Sequence, residues 1–294
     1  MSQGTNEDIY RRPVAECTAA QVADALTKAF EGYVMPVNVT AQGYERRFRP
    51  EHVDPFASHV YFRESRPVAV VLIARRGWTS RIAAMAVAPE ARGRGLGKLI
   101  MQDAIDEAVE RGDRSVLLEV FEHNTPAVRL YESLGFRSSR RLVGYHHDAG
   151  GEASEGPDRL HELDPLDLAR VVAREDEPGL PWMLAAETLS GTVAPAQAFH
   201  LDHRAYALIG DPEANVITLV ALVVPRAYRR NGWGTRLMQA LIATYPEREW
   251  SIPQLVPEEL APTFFARCGW TLMDTNQLEM ILGLSRRFEA DANG

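Results

Sequence analysis

The feature that most constrains this chain is an internal repeat at the scale of a domain. Two segments, 87–102 and 224–239, share a valine, an arginine, two glycines and a closing Met-Gln in the same order. Arg92 in the first segment and Arg229 in the second lie 137 positions apart. In a chain of 294 residues, a repeat at this distance predicts two copies of one fold in tandem.

A linker is predicted between the copies at residues 149–158, which are rich in glycine, serine and acidic residues and lack apolar periodicity. The first domain then spans residues 1–148 and the second 159–294. Leu134-Gly135-Phe136 matches Cys268-Gly269-Trp270 at an offset of 134, so the second copy is shorter between its two anchors. We expect the two copies to pack together within one monomer, as a covalent pseudo-dimer.

Composition limits the class of protein. Hydrophobic residues make up 46% and charged residues 24% of the chain, as in folded globular proteins. The net charge of -8 disfavours a nucleic-acid partner. Cys17 and Cys268 have no cysteine or histidine neighbours at zinc-ligand spacing, so they are interpreted as packed thiols of a reducing compartment. Without a run of about 18 apolar residues no membrane partner is expected, and the predicted location is the cytoplasm.

The periodicity of the first copy predicts a central sheet with helices around it. Helices are predicted at residues 18–32, 95–112 and 124–135, where apolar residues recur at helical spacing behind capping residues. Strands are predicted at 59–64, 67–74, 82–87 and 115–121, which are rich in branched and aromatic residues. Strands alternating with helices indicate an α/β layer architecture.

In each copy a predicted strand ends in a turn rich in arginine and glycine that leads into an amphipathic helix. The first turn reads Arg92-Gly-Arg-Gly95-Leu-Gly97. Backbone N–H groups at a helix N-terminus bind anions such as a pyrophosphate, and glycines allow close approach. The spacing fits neither a Walker motif nor a dinucleotide fingerprint. Taken alone, it is equally consistent with a plain turn whose arginines are solvated.

The wider pattern of the first copy resembles the GNAT superfamily of acetyl-CoA-dependent N-acetyltransferases. The resemblance rests on Met85-Ala-Val87, the Arg-x-x-Gly-x-Gly turn, Leu118-Glu119-Val120, Asn124, Ala127, Leu130-Tyr131-Glu132 and Leu134-Gly135-Phe136. The second copy is similar through its own glycine turn and through Gln277-Leu-Glu-Met280. This resemblance implies an α/β (α+β) fold of two tandem GNAT domains, each a mixed, splayed sheet flanked by helices, with acetyl-CoA as co-substrate.

The resemblance also assigns site residues in the first copy. Main-chain groups of Met85, Ala86 and Val87 are expected to bond the pantetheine arm and polarise the thioester. Asn124 is expected to contact the cofactor arm and Tyr131 to protonate the departing thiolate. Backbone amides of a continuous run are expected to hold the pyrophosphate: Arg92, Gly93, Arg94, Gly95, Leu96, Gly97 and Lys98.

The reaction itself calls for an acid and a base. A leaving thiolate needs an acid, and tyrosine has an ordinary pKa of about 10; the alternative for Tyr131 is plain packing. Glu119 lies in an apolar strand, where an unpaired carboxylate would become more basic, and the resemblance extends to ribosomal-protein acetyltransferases with a Leu-Glu-Val strand at the same distance from the tyrosine. A structural ion pair or a solvated edge position is the alternative for Glu119. Glu122, His123 or a chain of water molecules could also serve as the base.

Three other features have a plain interpretation beside a functional one. Asn124 can cap the helix that follows it. His146-His147 and His200-Leu-Asp-His203 have no third ligand at a recognisable spacing, so no metal is predicted. Residues 30–56 lie where GNAT proteins usually shape the acceptor pocket, and their aromatic and acidic residues suit a cationic amine. A helix packed on the sheet explains the same segment.

The second copy lacks the predicted catalytic residues. At the offset of 134, Pro253 stands for Glu119, Glu258 for Asn124 and Phe265 for Tyr131. Phenylalanine cannot donate a proton, and proline removes both a carboxylate and a backbone donor. The second copy is therefore predicted to be catalytically degenerate, while its glycine turn leaves open whether it binds CoA.

The predicted activity is acetyl transfer from acetyl-CoA to a primary amine, of a small molecule or a peptide, by direct attack in a ternary complex. One alternative is a non-catalytic module that binds or senses acyl-CoA. Another is an acyltransferase that uses a different acyl group or a hydroxyl acceptor. The sequence does not identify the acceptor.

Overall fold

The computed structural model describes residues 9–33, 37–150, 159–260 and 263–284. They form two compact units. The first unit contains the described residues up to Val120, those of Asn124–Ser139 and those from Glu279 onward, and the second contains Phe121–His123 and the described residues of Arg140–Leu278. Each unit thus includes a strand that the repeat assigns to the other copy. Residues 151–158 of the predicted linker lie outside the described residues, and the bounds 1–148 and 159–294 stay a prediction.

The first unit is built mainly from the N-terminal half of the chain. Its helices are α1 (Ala19–Ala29), α2 (Ala41–Phe48), α3 (Leu96–Glu110) and α4 (Thr125–Ser133). Its strands are β1 (Ile9–Pro13), β2 (His59–Arg63), β3 (Arg66–Arg76), β4 (Thr79–Val87) and β5 (Ser115–Phe121), with Phe121 itself in the second unit. Two further strands, β6 (Arg137–His147) and β13 (Gln277–Gly283), have their residues divided between the units.

The second unit repeats this order of elements. Its helices are α5 (Pro165–Glu175), α6 (Ala186–Leu189), α7 (Trp233–Thr244) and α8 (Phe264–Arg267). Its strands, besides most of β6, are β7 (His161–Leu163), β8 (Gln197–Leu201), β9 (Ala205–Ile209), β10 (Val216–Val223), β11 (Glu249–Pro257) and β12 (Thr271–Leu272).

Local sequence signals explain where several helices begin and end. Thr18 caps α1 in a reciprocal capping box with Gln21, as the capping prediction requires. Gly95 precedes α3 with a left-handed φ of 77°, and Gly112 ends it with a φ of 79°. Strand β1 and the long strand β6 were not predicted, because β1 is mostly polar and β6 begins with a run of serines and arginines.

The sheet of the first unit has the order β1-β2-β3-β4-β5-β13. Strands β1 to β4 pair antiparallel, and β4 pairs with β5 in parallel. Helix α1 packs against β3, where Val22 and Leu26 join Val70 and Leu72 in one buried cluster, and α3 packs against β4. The parallel pair β4–β5 is connected by a helix, α3.

The second unit has the sheet order β6-β11-β10-β9-β8-β7, with β12 also pairing with β6. Again one pair is parallel, β10 with β11, and helix α7 connects its strands. Alternate residues of β9 enter two clusters, one under α7 and one under α5 and α6, so helices cover both faces of this sheet. These mixed sheets with flanking helices confirm the predicted fold class. Among the described helices, none has the length and apolar character to cross a bilayer.

Candidate active site

The first unit has an opening between two neighbouring strands. The parallel pairing of β4 with β5 runs from Thr79 with Ser115 to Ile82 with Leu118, and within the described residues it goes no further. On the other side of β4, the register with β3 slips so that Ala83 is an extra residue, a β-bulge. Residues 83–87 are partly exposed although their strand lies inside the sheet. Main-chain groups of this stretch are therefore accessible to a ligand lying between the strands.

Next to this opening, a glycine turn leads into helix α3. Gly93 and Gly95 have φ angles of 75° and 77°, a region that favours glycine, although added Cβ atoms would meet nothing within 4 Å. The glycines are therefore required by the backbone conformation rather than by crowding. The first N–H groups of a helix have no acceptor within the helix, so Leu96, Gly97 and Lys98 direct theirs toward the turn. With the helix dipole behind them, these amides favour an anion.

Arg92 holds the turn in place. Its Nε donates to the Val87 carbonyl at 2.8 Å, and its Nη2 donates to the carbonyls of Ala29 and Glu31 at 3.2 and 2.7 Å. Its backbone N–H donates to the Pro89 carbonyl at 3.3 Å. The expectation of a free amide at Arg92 is therefore wrong, and the amides left for an anion begin at Gly93. The Val87 carbonyl is likewise already bonded.

Tyr131 lies in α4 with its side chain buried and its ring 5.9 Å from that of Phe136. Burial raises the pKa of Tyr131 above its ordinary value of 10.0, and Tyr33 adds to the shift. The phenol therefore keeps its proton at any pH near neutrality. A buried hydroxyl in this state is suited to donate a proton rather than to accept one.

Asn124 contacts the predicted acceptor segment through Tyr33. It precedes α4, but its side chain makes no capping bond, so the capping interpretation is wrong. Burial raises the pKa of Tyr33, and a hydrogen bond from the Asn124 side chain opposes that shift. Tyr33 thus interacts with both Asn124 and Tyr131, and the roles of Asn124 and Tyr131 stay predictions. Residues 34–36, which follow Tyr33, lie outside the described residues.

Glu119 is not the unpaired carboxylate that its apolar strand suggested. Arg81 Nε lies 3.0 Å from Glu119 Oε1 and 2.8 Å from Oε2, and Arg81 Nη2 lies 2.8 Å from Oε2. Arg81 Nη1 also donates to Glu51 Oε2 at 2.6 Å. Only 7% of the Glu119 side chain, 8% of Arg81 and 2% of Glu51 is exposed. The argument for Glu119 from an uncompensated charge fails, and its role as a base stays a prediction.

The other candidates for the base are placed differently. Glu122 accepts from Arg141 Nε at 3.0 Å and is half-exposed. The His123 ring packs on Phe121 at 5.5 Å. In the acceptor segment, α2 packs on the sheet with Phe48 in the core, as the plain interpretation of residues 30–56 predicted. The same segment also supplies Glu51, a residue that sequence reasoning missed because its partner lies 30 positions away.

The second unit has the same backbone features around its parallel pair. Strands β10 and β11 pair from Val216 with Glu249 to Thr218 with Ser251, and β10 slips against β9 between Leu219 and Ala221. Gly232 precedes α7 with a φ of 81°.

Its side chains differ from those of the first unit. Phe265, the counterpart of Tyr131 at the offset of 134, stacks on Tyr145 at 4.4 Å. Glu258 pairs with Arg141 at 2.9 Å. A Cβ added at Gly234 would lie 3.2 Å from the Phe264 ring, whereas at Gly97 the nearest atom would be at 3.7 Å. The start of α7 is therefore packed more closely, and against an aromatic ring, than the start of α3.

The histidines singled out by sequence form a stack in the second unit. The rings of His200 and His203 are 3.8 Å apart, and His161 lies 5.3 Å from His200. Burial lowers the pKa of His200, and His203 and His161 lower it further. His147 packs against Trp270 at 5.6 Å. Within the described ranges, no three His, Cys, Asp or Glu residues are arranged to hold a metal ion.

Comparison with known proteins agrees with this geometry. The model of the acetyltransferase (GNAT) family matches residues 20–136 and again 152–270. The chain is 40% identical over 67 residues to the [Ribosomal protein bS18]-alanine N-acetyltransferase of Salmonella typhimurium, covering 23% of this chain and 45% of that protein. It is 38% identical over 90 residues to the streptothricin acetyltransferase of Streptomyces lavendulae, covering 30% and 46%. The chain thus spans about half the length of these curated relatives.

A solved structure extends the similarity of fold to nearly the whole chain. A tandem GNAT protein from the clavulanic acid biosynthesis pathway superposes with a TM-score of 0.67 at 17% identity, covering 94% of this chain and 98% of that one. At this identity the likeness concerns the fold. It supports two GNAT-like halves in one polypeptide, as the internal repeat predicted.

Proposed function

Because this chain belongs to the acetyltransferase (GNAT) family, we propose that its first unit transfers an acetyl group from acetyl-CoA to a primary amine in a ternary complex. The observation that carries the proposal is the opening between β4 and β5, with the glycine turn at the end of β4 and the buried Tyr131 hydroxyl on α4. Acetyl-CoA, when bound, supplies the acetyl thioester. The acceptor amine supplies the nucleophile, and binding and proton transfer are assigned to residues of this chain.

The residues of the opening fit such a co-substrate. The amides from Gly93 to Lys98 would hold the diphosphate, because they lie at and just before a helix N-terminus. The space beside Gly93 and Gly95 is open, since an added Cβ atom would meet nothing within 4 Å. Main-chain groups of Met85, Ala86 and the Val87 N–H would orient the pantetheine arm. The Asn124 side chain would contact the same arm after giving up its bond to Tyr33.

Two side chains would move the protons. Glu119 would accept the proton that the amine loses as its nitrogen bonds to the acetyl carbon, and Oε1 is the oxygen that Arg81 occupies least. Tyr131 Oη would donate its proton to the sulfur as the carbon–sulfur bond breaks. One proton is taken and one is given, so the unit returns to its starting state after proton exchange with solvent.

The second unit is proposed to lack this chemistry. Phe265 has no hydroxyl to protonate a thiolate, and Pro253 has no carboxylate. Its glycine turn and the separation of β10 from β11 remain. We therefore propose that the second unit does not catalyse acetyl transfer and that it contributes to stability or binds CoA.

The class of acceptor is proposed from the relatives. One relative acts on an alanine of ribosomal protein bS18 and the other on streptothricin, so the proposed acceptor is a primary amine of a peptide or a small molecule. The test is a panel of amines, including an alanine-headed peptide, streptothricin, a polyamine and free amino acids, assayed for CoA release.

The panel has two informative outcomes. We expect at least one amine to give wild-type turnover that falls sharply in Tyr131→Phe. Binding of acetyl-CoA without CoA release from any amine would instead favour the alternative of a non-catalytic acyl-CoA-binding module. Release with longer acyl-CoAs or with alcohols only would favour the alternative acyltransferase.

A further inference from the structure

The first unit contains a buried ion cluster that the proposed reaction does not yet explain. Arg81 of β4 lies between Glu119 of β5 and Glu51, which follows α2. All three side chains are nearly inaccessible to solvent. Taking charges out of water is unfavourable, and a buried ion pair is seldom more stabilising than an apolar replacement. Stability alone is therefore a weak reason for this cluster.

The contacts of the cluster are unequal. Arg81 gives Glu119 Oε2 two contacts at 2.8 Å, from Nε and Nη2, and gives Oε1 only a shared contact at 3.0 Å from Nε. A carboxylate has about four lone-pair positions, so Oε1 keeps capacity for another donor. The two-point contact also fixes the plane of the carboxylate, since the guanidinium is rigid and planar.

The charges are unequal as well. One guanidinium faces two carboxylates, and a further cation, Arg47 on α2, lies 3.9 Å from Glu51 with 64% of its side chain exposed. Burial lowers the pKa of Arg81, but Glu119 and Glu51 outweigh this effect and raise it overall, so Arg81 stays charged. On neighbouring β13 the carboxylate is Glu279, which accepts from the Ser139 hydroxyl at 3.1 Å. Arg81 is thus shared between Glu51 and Glu119.

Resting on the proposed function, we propose that Arg81 and Glu51 are positioning residues that act through Glu119. Arg81 aims Glu119 Oε1 at the amine, and Glu51 shares the Arg81 guanidinium, so that Glu119 is not the sole partner of that charge. The two residues act in opposite directions on Glu119. Removing Arg81 makes Glu119 take up a proton more readily, and removing the charge of Glu51 makes it do so less readily.

The kinetic test follows the pH dependence of kcat/KM with one amine from the panel. We expect the acidic limb of the profile to move to higher pH in Arg81→Gln and to lower pH in Glu51→Gln. The limb set by the amine itself stays in place because the substrate is unchanged. Arg81→Lys keeps the positive charge but loses the two-point contact with Glu119. We expect its acidic limb to stay near that of the wild type while its kcat falls at least about tenfold.

A matched control separates this role from structural support. Asp113 is buried in a second cluster, where it accepts from the Ser80 hydroxyl at 2.5 Å and from Arg111 and Arg75 at 3.3 and 3.5 Å. Asp113→Asn should lower stability as the other variants do but leave the acidic limb unmoved. Limbs that coincide in wild type, Arg81→Gln and Glu51→Gln would overturn the proposal.

A second readout does not depend on turnover. In protein labelled with ¹³C at glutamate carboxyls, the Glu119 signal is assigned by its loss in Glu119→Gln and followed from neutral pH downward. We expect Glu119 to take up its proton at higher pH in Arg81→Gln than in the wild type, and at lower pH in Glu51→Gln. The same midpoint in all three proteins would overturn the proposal. An inactive wild type with shifted midpoints would instead refute the proposed function and leave the assignment of the cluster standing.

Discussion

In the first unit β4 and β5 separate after Ile82, and in the second unit β10 and β11 separate after Thr218. Both openings lie beside a bulge, and both precede a glycine with a left-handed φ at a helix start. The side chains around them differ, because one has a buried tyrosine hydroxyl and the other a phenylalanine ring. The same backbone arrangement thus occurs in the second unit without the side chains that are proposed to transfer protons in the first.

The sharpest way to test the comparison is to remove the one hydroxyl that separates Tyr131 from Phe265. Tyr131→Phe should lower kcat by about 10² to 10⁴, the usual contribution of a positioned acid, because the ring remains and the proton is lost. Affinity for acetyl-CoA, measured by calorimetry, should stay near that of the wild type. Phe265→Tyr is the matched variant and should add no activity, since Pro253 still replaces the carboxylate. A wild-type kcat in Tyr131→Phe would show that another group protonates the thiolate.

The glycine turn of the first unit should be the next most sensitive feature. Gly95→Val places a branched side chain at a φ of 77°, which costs about 1 to 2 kcal/mol, so the bound form of the turn becomes strained. We expect acetyl-CoA affinity to fall at least about tenfold, since each 1.4 kcal/mol is about a factor of ten. Gly112→Val introduces the same strain at a φ of 79° at the far end of α3 and should leave affinity unchanged. Equal affinities for both variants and the wild type would remove the turn from the site.

The arginines of the two turns offer a comparison of stability. In both units Nε donates to a valine carbonyl, Val87 or Val224, at 2.8 and 2.9 Å. Arg92 adds bonds to two carbonyls, whereas Arg229 adds a half-exposed ion pair with Glu177 at 3.0 Å. Arg92→Met should cost about 1 to 2 kcal/mol in urea unfolding and Arg229→Met less than about 1 kcal/mol. The reverse order would show that the two turns are held differently from what these contacts indicate.

The smallest expected effect concerns pH and the histidine stack of the second unit. Burial and the neighbours His203 and His161 lower the folded-state pKa of His200 below its ordinary 6.5. As the pH falls below 6.5, His200 binds a proton in the unfolded chain but not yet in the folded chain. The free energy of unfolding therefore decreases until the pH reaches the lowered pKa of the folded state. His200→Asn should flatten this acidic decline in the free energy of unfolding. An unchanged slope of the free energy of unfolding against pH would show that other groups cause the decline. The next residue to replace would be buried His59 of the first unit, whose pKa is also lowered mainly by burial.

Local signals in the sequence predicted much of the fold and part of the site. The cap at Thr18, the glycine turn and strand β5 were all predictable, because each depends on residues close together in the chain. The pairing of Glu119 with Arg81 was not, because its partners lie 38 positions apart and meet only through strand pairing. For the same reason, a strand such as β13 could be recognised, but its place beside β5 could not.

Catalysis is proposed to belong to the first unit alone. The most direct measurement compares acetyl-transfer rates of Gly95→Val and Gly232→Val, each shown to be folded by circular dichroism, with the same amine and acetyl-CoA. We expect Gly95→Val to lose acetyl transfer, while Gly232→Val keeps it and changes only stability or the number of CoA molecules bound. Loss of all transfer in Gly232→Val, with the rate retained in Gly95→Val, would contradict the account and place the active site in the second unit.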